Sequence, residues 1–199
     1  MMENCFRIAL LAALFAAQHA AAADRMDSLA ACVNAAEYRL QDVKRWPAGT
    51  KYRTVETAGG AAKVSVQDGL HALVFAGASV PTANLKFERS DPAEFDADRK
   101  AIRAQMELLA SRYRGNDKPK GLETAESAGI ETWTLENPSY SPRHSVGMYT
   151  LLYPAGQTIA TIYMFGQPAG DGAAYKNLEE FQAYRRRFLA AIGGCMQKS

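Results

Sequence analysis

Apolar positions along the chain change period several times, and each change marks an element. Met26, Leu29, Val33, Ala36, Leu40 and Val43 alternate by three and four, which draws one stripe down a helix capped by Asp24 or Asp27 and stopped by Trp46-Pro47-Ala48-Gly49. Short, part-alternating segments follow at Lys51–Glu56 and Ala62–Gln67, separated by Gly59-Gly60. Asp68-Gly69 then reads as a two-residue turn joining Val64-Ser65-Val66 to Leu70–Phe75, and Asn84–Glu88 reads as a further strand. A second helix opens on Asp91 as N-cap, Pro92 and a capping-box Glu94, and buries Phe95, Ile102, Met106, Leu109 and Tyr113 before Gly115. Gly129–Glu136, Val146–Tyr153 and Thr158–Phe165 are three more strands, the last two paired through Pro154–Gln157. A helix from about Ala173 to Ile192, with Leu178, Phe181, Phe188 and Ile192 inward, closes the chain before Gly193-Gly194.

Helix, four strands, helix, three strands, helix is an order of hairpin-linked strands rather than of alternating βαβ units. It predicts one α+β domain over 24–199, with a largely antiparallel sheet of six to seven strands covered by helices. From Leu85-Lys86-Phe87 through the capped helix to Gly129-Ile130-Glu131, and on through the Gly156 hairpin to Phe181 and Phe188, the chain resembles the PsbP-like α/β fold. The resemblance is one of element order over about residues 84–192, and the first helix and the cysteines lie outside it. Families of that fold are mostly binding or assembly factors without catalytic residues, and this is what the resemblance implies here.

The first 23 residues stand apart. A short region ending at Arg7 leads into the apolar run Ile8–Ala17, and Ala20–Ala23 supplies small residues before Asp24, the anatomy of a cleavable export signal. A membrane anchor needs about 20 apolar residues, and this run is about half that. Leu29-Ala30-Ala31-Cys32 looks like a lipidation box, but Asp24, Arg25 and Asp27 separate it from the apolar run. The periplasm is therefore the expected compartment, without membrane insertion after cleavage. Cys5 leaves with the signal, so Cys32 and Cys195 form an even pair in an oxidising compartment, which predicts a disulfide between the terminal helices against the alternative of two buried free thiols.

Charge and chemistry narrow the function classes. The signal removes Arg7 and Glu3 together, so the formal charge stays at +2, and no nucleic-acid partner is expected. Neither HExxH, GxSxG nor CxxC occurs, and the Gly-rich pieces lack the order of a phosphate loop; no cofactor or metal is expected. Glu94, Asp96 and Asp98 crowd a helix start, where carboxylates favour the macrodipole and water. Glu179-Glu180 and Arg185-Arg186-Arg187 read as solvated helix surface, with one arginine of the run available to pair a buried carboxylate, and His71 reads as a strand histidine. The remaining feature is the loop Asn137–Ser145, where Tyr140, Arg143 and His144 offer contact area and hydrogen bonding suited to recognition. The expectation is a non-catalytic exported protein that binds a partner protein, for instance an immunity-type inhibitor of a periplasmic toxin. The alternatives are an envelope hydrolase pairing His144 with Glu131 or Glu136, and a small-ligand carrier with a pocket between sheet and helices.

Overall fold

The structure, a computed structural model, describes residues 25–112, 121–136, 145–167 and 172–199. The leader segment lies outside the described residues. Helix α1 (25–35) is followed by strands β1 (Arg39–Trp46), β2 (Lys51–Thr57), β3 (Gly60–Val66), β4 (Asp68–Phe75) and β5 (Ala83–Arg89). Helix α2 (Phe95–Arg112) leads to β6 (Glu123–Ser127), β7 (Ile130–Glu136), β8 (Ser145–Tyr153) and β9 (Thr158–Phe165), and α3 (Leu178–Lys198) closes the chain.

Seven strands form one antiparallel sheet in the order β1-β4-β5-β9-β8-β7-β6, while β2 and β3 form a separate hairpin. Because side chains alternate across a strand, the sheet has two apolar faces. Leu70, Ala72, Val74, Leu85, Phe87, Ala160 and Ile162 point to one face, where α1 and α3 cover them with Leu29, Val33, Phe181, Phe188 and Ile192. Trp133, Leu135, Met148, Leu152 and Ile159 point to the other, where α2 and the hairpin meet them through Ile102, Met106, Val55 and Val64. The predicted α+β class and antiparallel sheet hold, with helices on both sides.

The disulfide holds as well. Cys32 Sγ and Cys195 Sγ are bonded at 2.03 Å with Cα atoms 5.6 Å apart, tying α1 to α3 across a separation of 163 residues. Cys195 lies inside α3, which runs on through Gly193-Gly194 to Lys198 instead of stopping there. It also begins later than its apolar pattern suggests. The Asn177 side chain accepts from Glu180 N at 3.0 Å and Glu180 Oε2 accepts from Lys176 N at 2.8 Å, a reciprocal cap that sets the start at Leu178.

Three further expectations are corrected. The first helix ends at residue 35, not before Trp46: Glu37 takes a left-handed φ of 70°, Asn34 Oδ1 accepts from Leu40 N at 2.9 Å, and the chain turns into strand β1. Asp68-Gly69 does not link β3 to β4 as a hairpin. Both residues lie within β4, with Asp68 bound to Arg89 and Gly69 opposite Glu88 and Trp46. A Cβ on Gly69 would come within 2.6 Å of the Phe87 carbonyl oxygen, so this glycine serves close packing rather than a turn. The carboxylates at the start of α2 are not all solvated. Glu94 accepts from the Tyr52 hydroxyl at 2.9 Å, Asp91 Oδ1 caps Ala93 N at 2.9 Å, and Asp98 is buried at 1% exposure. Asp98 Oδ1 accepts from Ser65 N at 2.9 Å, and its Oδ2 accepts from the Ser65 hydroxyl at 2.5 Å and from the Ser90 hydroxyl. This carboxylate clips the β2–β3 hairpin and the end of β5 to α2.

Candidate functional site

Among the described residues, no helix covers the β6–β7 edge of the sheet on the α3 side. β6 is short and polar, all five of its residues are exposed, and among the described strands it pairs with β7 alone. The register sets Glu123 beside Thr134, Ala125 beside Thr132 and Ser127 beside Ile130, all on the α3 face. α3 crosses the sheet closer to its middle, over Tyr149 and Leu151 of β8, and leaves a groove of about 470 Å3 between its flank and this edge. Ile130, Leu151, Leu189 and Ala190 give the groove an apolar floor and wall. Thr132, Thr134, Glu123, Arg186 and Gln197 give it polar groups of both hydrogen-bonding senses.

The groove exists because α3 lacks side chains where it faces the edge. Gly193 and Gly194 lie within the helix, where glycine costs about 1 kcal/mol relative to alanine. Neither takes a positive φ. A Cβ on Gly194 would meet nothing within 4 Å, and one on Gly193 would make ordinary contact with Ile130 at 3.7 Å. Nothing in the fold itself requires glycine at Gly194.

One end of the groove is fixed by a triad of polar groups. Arg185 pairs with Glu136 Oε2, and the buried Tyr149 hydroxyl donates to Glu136 Oε1 at 2.5 Å. Burial, reinforced by the Glu136 charge, pushes the Tyr149 phenol far above its usual range, so it stays a donor. Burial alone would lower the Arg185 guanidinium, but its hydrogen bond to Glu136, the Glu136 charge and the Tyr149 contacts together outweigh that and raise it. Room for the Tyr149 ring comes from Gly147, where a Cβ would lie 2.7 Å from Cζ. Thus one member of the arginine run, Arg185, holds a half-buried carboxylate, while Arg186 and Arg187 are exposed.

On the opposite face, Glu131 accepts from Arg99 Nε at 2.8 Å and from the Trp133 indole at 2.7 Å, with Arg103 over the Trp133 ring at 5.9 Å. Burial would raise the Glu131 carboxyl, yet the Arg99 and Trp133 hydrogen bonds and the charges of Arg99 and Arg103 hold it below the usual range. Glu131 and Glu136 therefore sit on opposite sides of the sheet, each engaged by an arginine. Tyr140, Arg143 and His144 lie outside the described residues, between the end of β7 and the start of β8. His71 is half-buried, with Nε2 2.6 Å from Asn84 Oδ1, and no serine, cysteine or carboxylate among the described residues bonds to it. Among the described residues no group of three His, Cys, Asp or Glu side chains is placed to hold a metal ion, and no helix is long and apolar enough to cross a membrane.

Neither protein-family models, curated protein sequences nor solved structures gave a match to this chain. The groove was not legible beforehand, since β6 carries no apolar alternation and Gly193-Gly194 reads as a helix stop. The signal that could have found it is the helix-compatible sequence on both sides of the glycine pair, Phe188–Ile192 and Cys195–Lys198.

Proposed function

We propose that this chain is an exported, non-catalytic binding protein of the cell envelope that seats a segment of a partner protein in the groove between α3 and the β6–β7 edge. The observation that carries this reading is the glycine pair, which lowers the helix propensity of α3 and keeps a half-apolar groove open beside a sheet edge that no described strand pairs. The leader-like residues 1–23, the Cys32–Cys195 bond and the resemblance of residues 84–192 to a fold of binding and assembly factors support it. An immunity-type inhibitor that captures a toxin in the periplasm is one concrete form. Tyr140, Arg143 and His144, which follow Glu136 in the chain, are proposed as further recognition residues.

The experiment places a photo-crosslinking residue at Ala125 in the exported protein and compares adducts with and without Gly194→Leu, which fills the groove. A discrete protein adduct lost on filling supports the reading; an adduct indifferent to Gly194→Leu, or none, overturns the groove as its site. Changing Tyr140, Arg143 and His144 together tests the loop separately. A second reading, a small-ligand carrier, is favoured by the groove volume, which falls within the roughly 300–1,000 Å3 typical of small-molecule sites. Native mass spectrometry showing a retained small molecule, released by Gly194→Leu, would select it.

A further inference from the structure

The other side of the sheet carries a second surface, unrelated to the groove. α2 and the β2–β3 hairpin cover that face only over β7, β8 and part of β9, where the buried cluster around Trp133, Met148 and Ile159 lies. Arg53 of the hairpin also reaches over β5 as far as Glu88, and beyond it, over β1, β4 and the far ends of β5 and β9, no described element packs on the face. Arg39, Lys44 and Tyr163 are exposed there, His71, Leu73, Asn84 and Lys86 are partly exposed, and Phe75 and Glu88 are buried. Strand register brings these side chains onto one face: Lys44 is opposite His71, His71 opposite Lys86, and Asn84 opposite Tyr163.

The charge on this face is lopsided. Arg39, Lys44 and Lys86 stand on it, and Arg53 reaches over from β2. Glu88 is the single carboxylate at a face position in these strands, already shared by Arg53 Nε at 2.8 Å and Lys86 Nζ at 3.1 Å. Asp42 sits apart, in the bulge of β1 at the sheet edge. Across the whole chain 23 basic side chains are nearly balanced by 21 acidic ones, so the surplus here is local. Glu88 is 2% exposed, hence its charge is spent inside the cluster rather than shown to a partner. Arg39 is held over the Phe75 ring at 5.5 Å, with its Nε and Nη2 donating to the Gln41 amide oxygen at 3.0 and 3.2 Å, which fixes this exposed guanidinium on the face.

We infer that this bare sheet face is an interaction surface for an acidic patch on a partner protein. Charge complementarity selects the partner's sign. A single exposed aromatic among the described residues of the face, Tyr163, disfavours a single-stranded nucleic acid, which would need a row of stacking rings. A lipid surface would need a cluster of projecting apolar side chains, and among the described residues of this face Tyr163 is exposed, Leu73 only partly so and Phe75 is buried. Four strands spaced about 4.8 Å apart, over some six residue steps of about 3.3 Å, make a face of about 400 Å2. That is about half of what one partner buries in a standard stable interface, so the contact is weak, electrostatically steered and salt-sensitive.

The test measures fluorescence anisotropy of labelled poly-L-glutamate titrated with the purified protein, at low and at physiological salt. Arg39→Glu with Lys44→Glu reverses two exposed charges on β1, and Lys100→Glu with Lys198→Glu makes the same net change on α2 and α3. Far-ultraviolet circular dichroism checks folding, and Arg39→Gln with Lys44→Gln replaces the reversal if β1 is disturbed. The expected result is salt-sensitive binding weakened about tenfold by the β1 pair and less than about twofold by the control pair. Equal weakening by both pairs, no binding of poly-L-glutamate, or tighter binding to single-stranded DNA or to phosphatidylglycerol vesicles at the same salt would overturn the inference. Because the groove is on the opposite face, Gly194→Leu leaves poly-L-glutamate binding unchanged, which separates this surface from the groove.

Discussion

Replacing Gly193 and Gly194 by alanine should make the protein more stable, a result opposite to the usual cost of altering a buried helix. Gly193 is buried and Gly194 half-buried, both have ordinary helical φ, and α3 continues past them to Lys198. Alanine in a helix interior is worth about 1 kcal/mol over glycine, because glycine loses more backbone freedom on folding. The new methyl on Gly194 meets no atom within 4 Å, and that on Gly193 touches Ile130 at 3.7 Å and Leu151 at 3.8 Å, contacts without overlap. The double substitution should therefore gain about 2 kcal/mol, which for a chain of this size raises the thermal midpoint by about 4–8 °C. Urea unfolding with the disulfide intact measures it, and the m-value should not change because the surface exposed on unfolding is the same. A lower midpoint for Gly194→Ala alone would refute the reasoning, since it would mean that the fold needs that glycine and that the groove is incidental.

Other substitutions test the joints of the fold. Cys32→Ala with Cys195→Ala frees a loop closed across 163 residues, for which chain entropy allows up to about 5 kcal/mol; a loss below about 1 kcal/mol in urea unfolding would count against that account. Asp98→Ala strips the Ser65 amide and the Ser65 and Ser90 hydroxyls of a buried acceptor and should cost about 3 kcal/mol, with Asp98→Asn milder; equal effects of the two would contradict the hydrogen-bond reading. Because the Glu131 carboxyl is held low in the folded state, its contribution to stability is complete above its ordinary value near 4.5 and is lost as pH falls through the depressed folded value. Stability measured across that acid window should fall less steeply in Arg99→Gln than in the parent, and identical slopes would remove Arg99 as the cause.

Where local chemistry and tertiary packing agree, the elements are readable from the chain. The stripe of Phe95, Ile102 and Met106 and the alternation of β8 and β9 around Pro154–Gln157 each need only a few neighbours to be decoded. The cysteine pair is readable for another reason, that two thiols left in an oxidising compartment have few fates. β1 escapes because its bulge at Asp42 and Val43 shifts the alternation, so that Leu40 and Val43 continue a helical spacing by coincidence. β6 escapes because an edge strand open to water has no apolar face to declare, and its Glu123 and Glu126 discourage pairing with other chains. Asp98 is missed since a carboxylate in a first turn is ordinarily solvated, and its burial depends on donors from Ser65 of β3 and from Ser90 just past the end of β5. The groove and the basic face are relations between elements far apart in the chain, and no local pattern encodes them.

The Cys32–Cys195 bond has a mechanical consequence. Pulled from its two ends, the chain transmits force through α1 to Cys32, across the sulfur bridge, and out through Cys195, so the seven-stranded sheet carries almost none of it. Only the short segments outside the bridge can lengthen while it is oxidised, and reduction would release the whole enclosed polypeptide as extensible length. Single-molecule stretching in the presence and absence of a thiol reads that difference directly as two contour lengths.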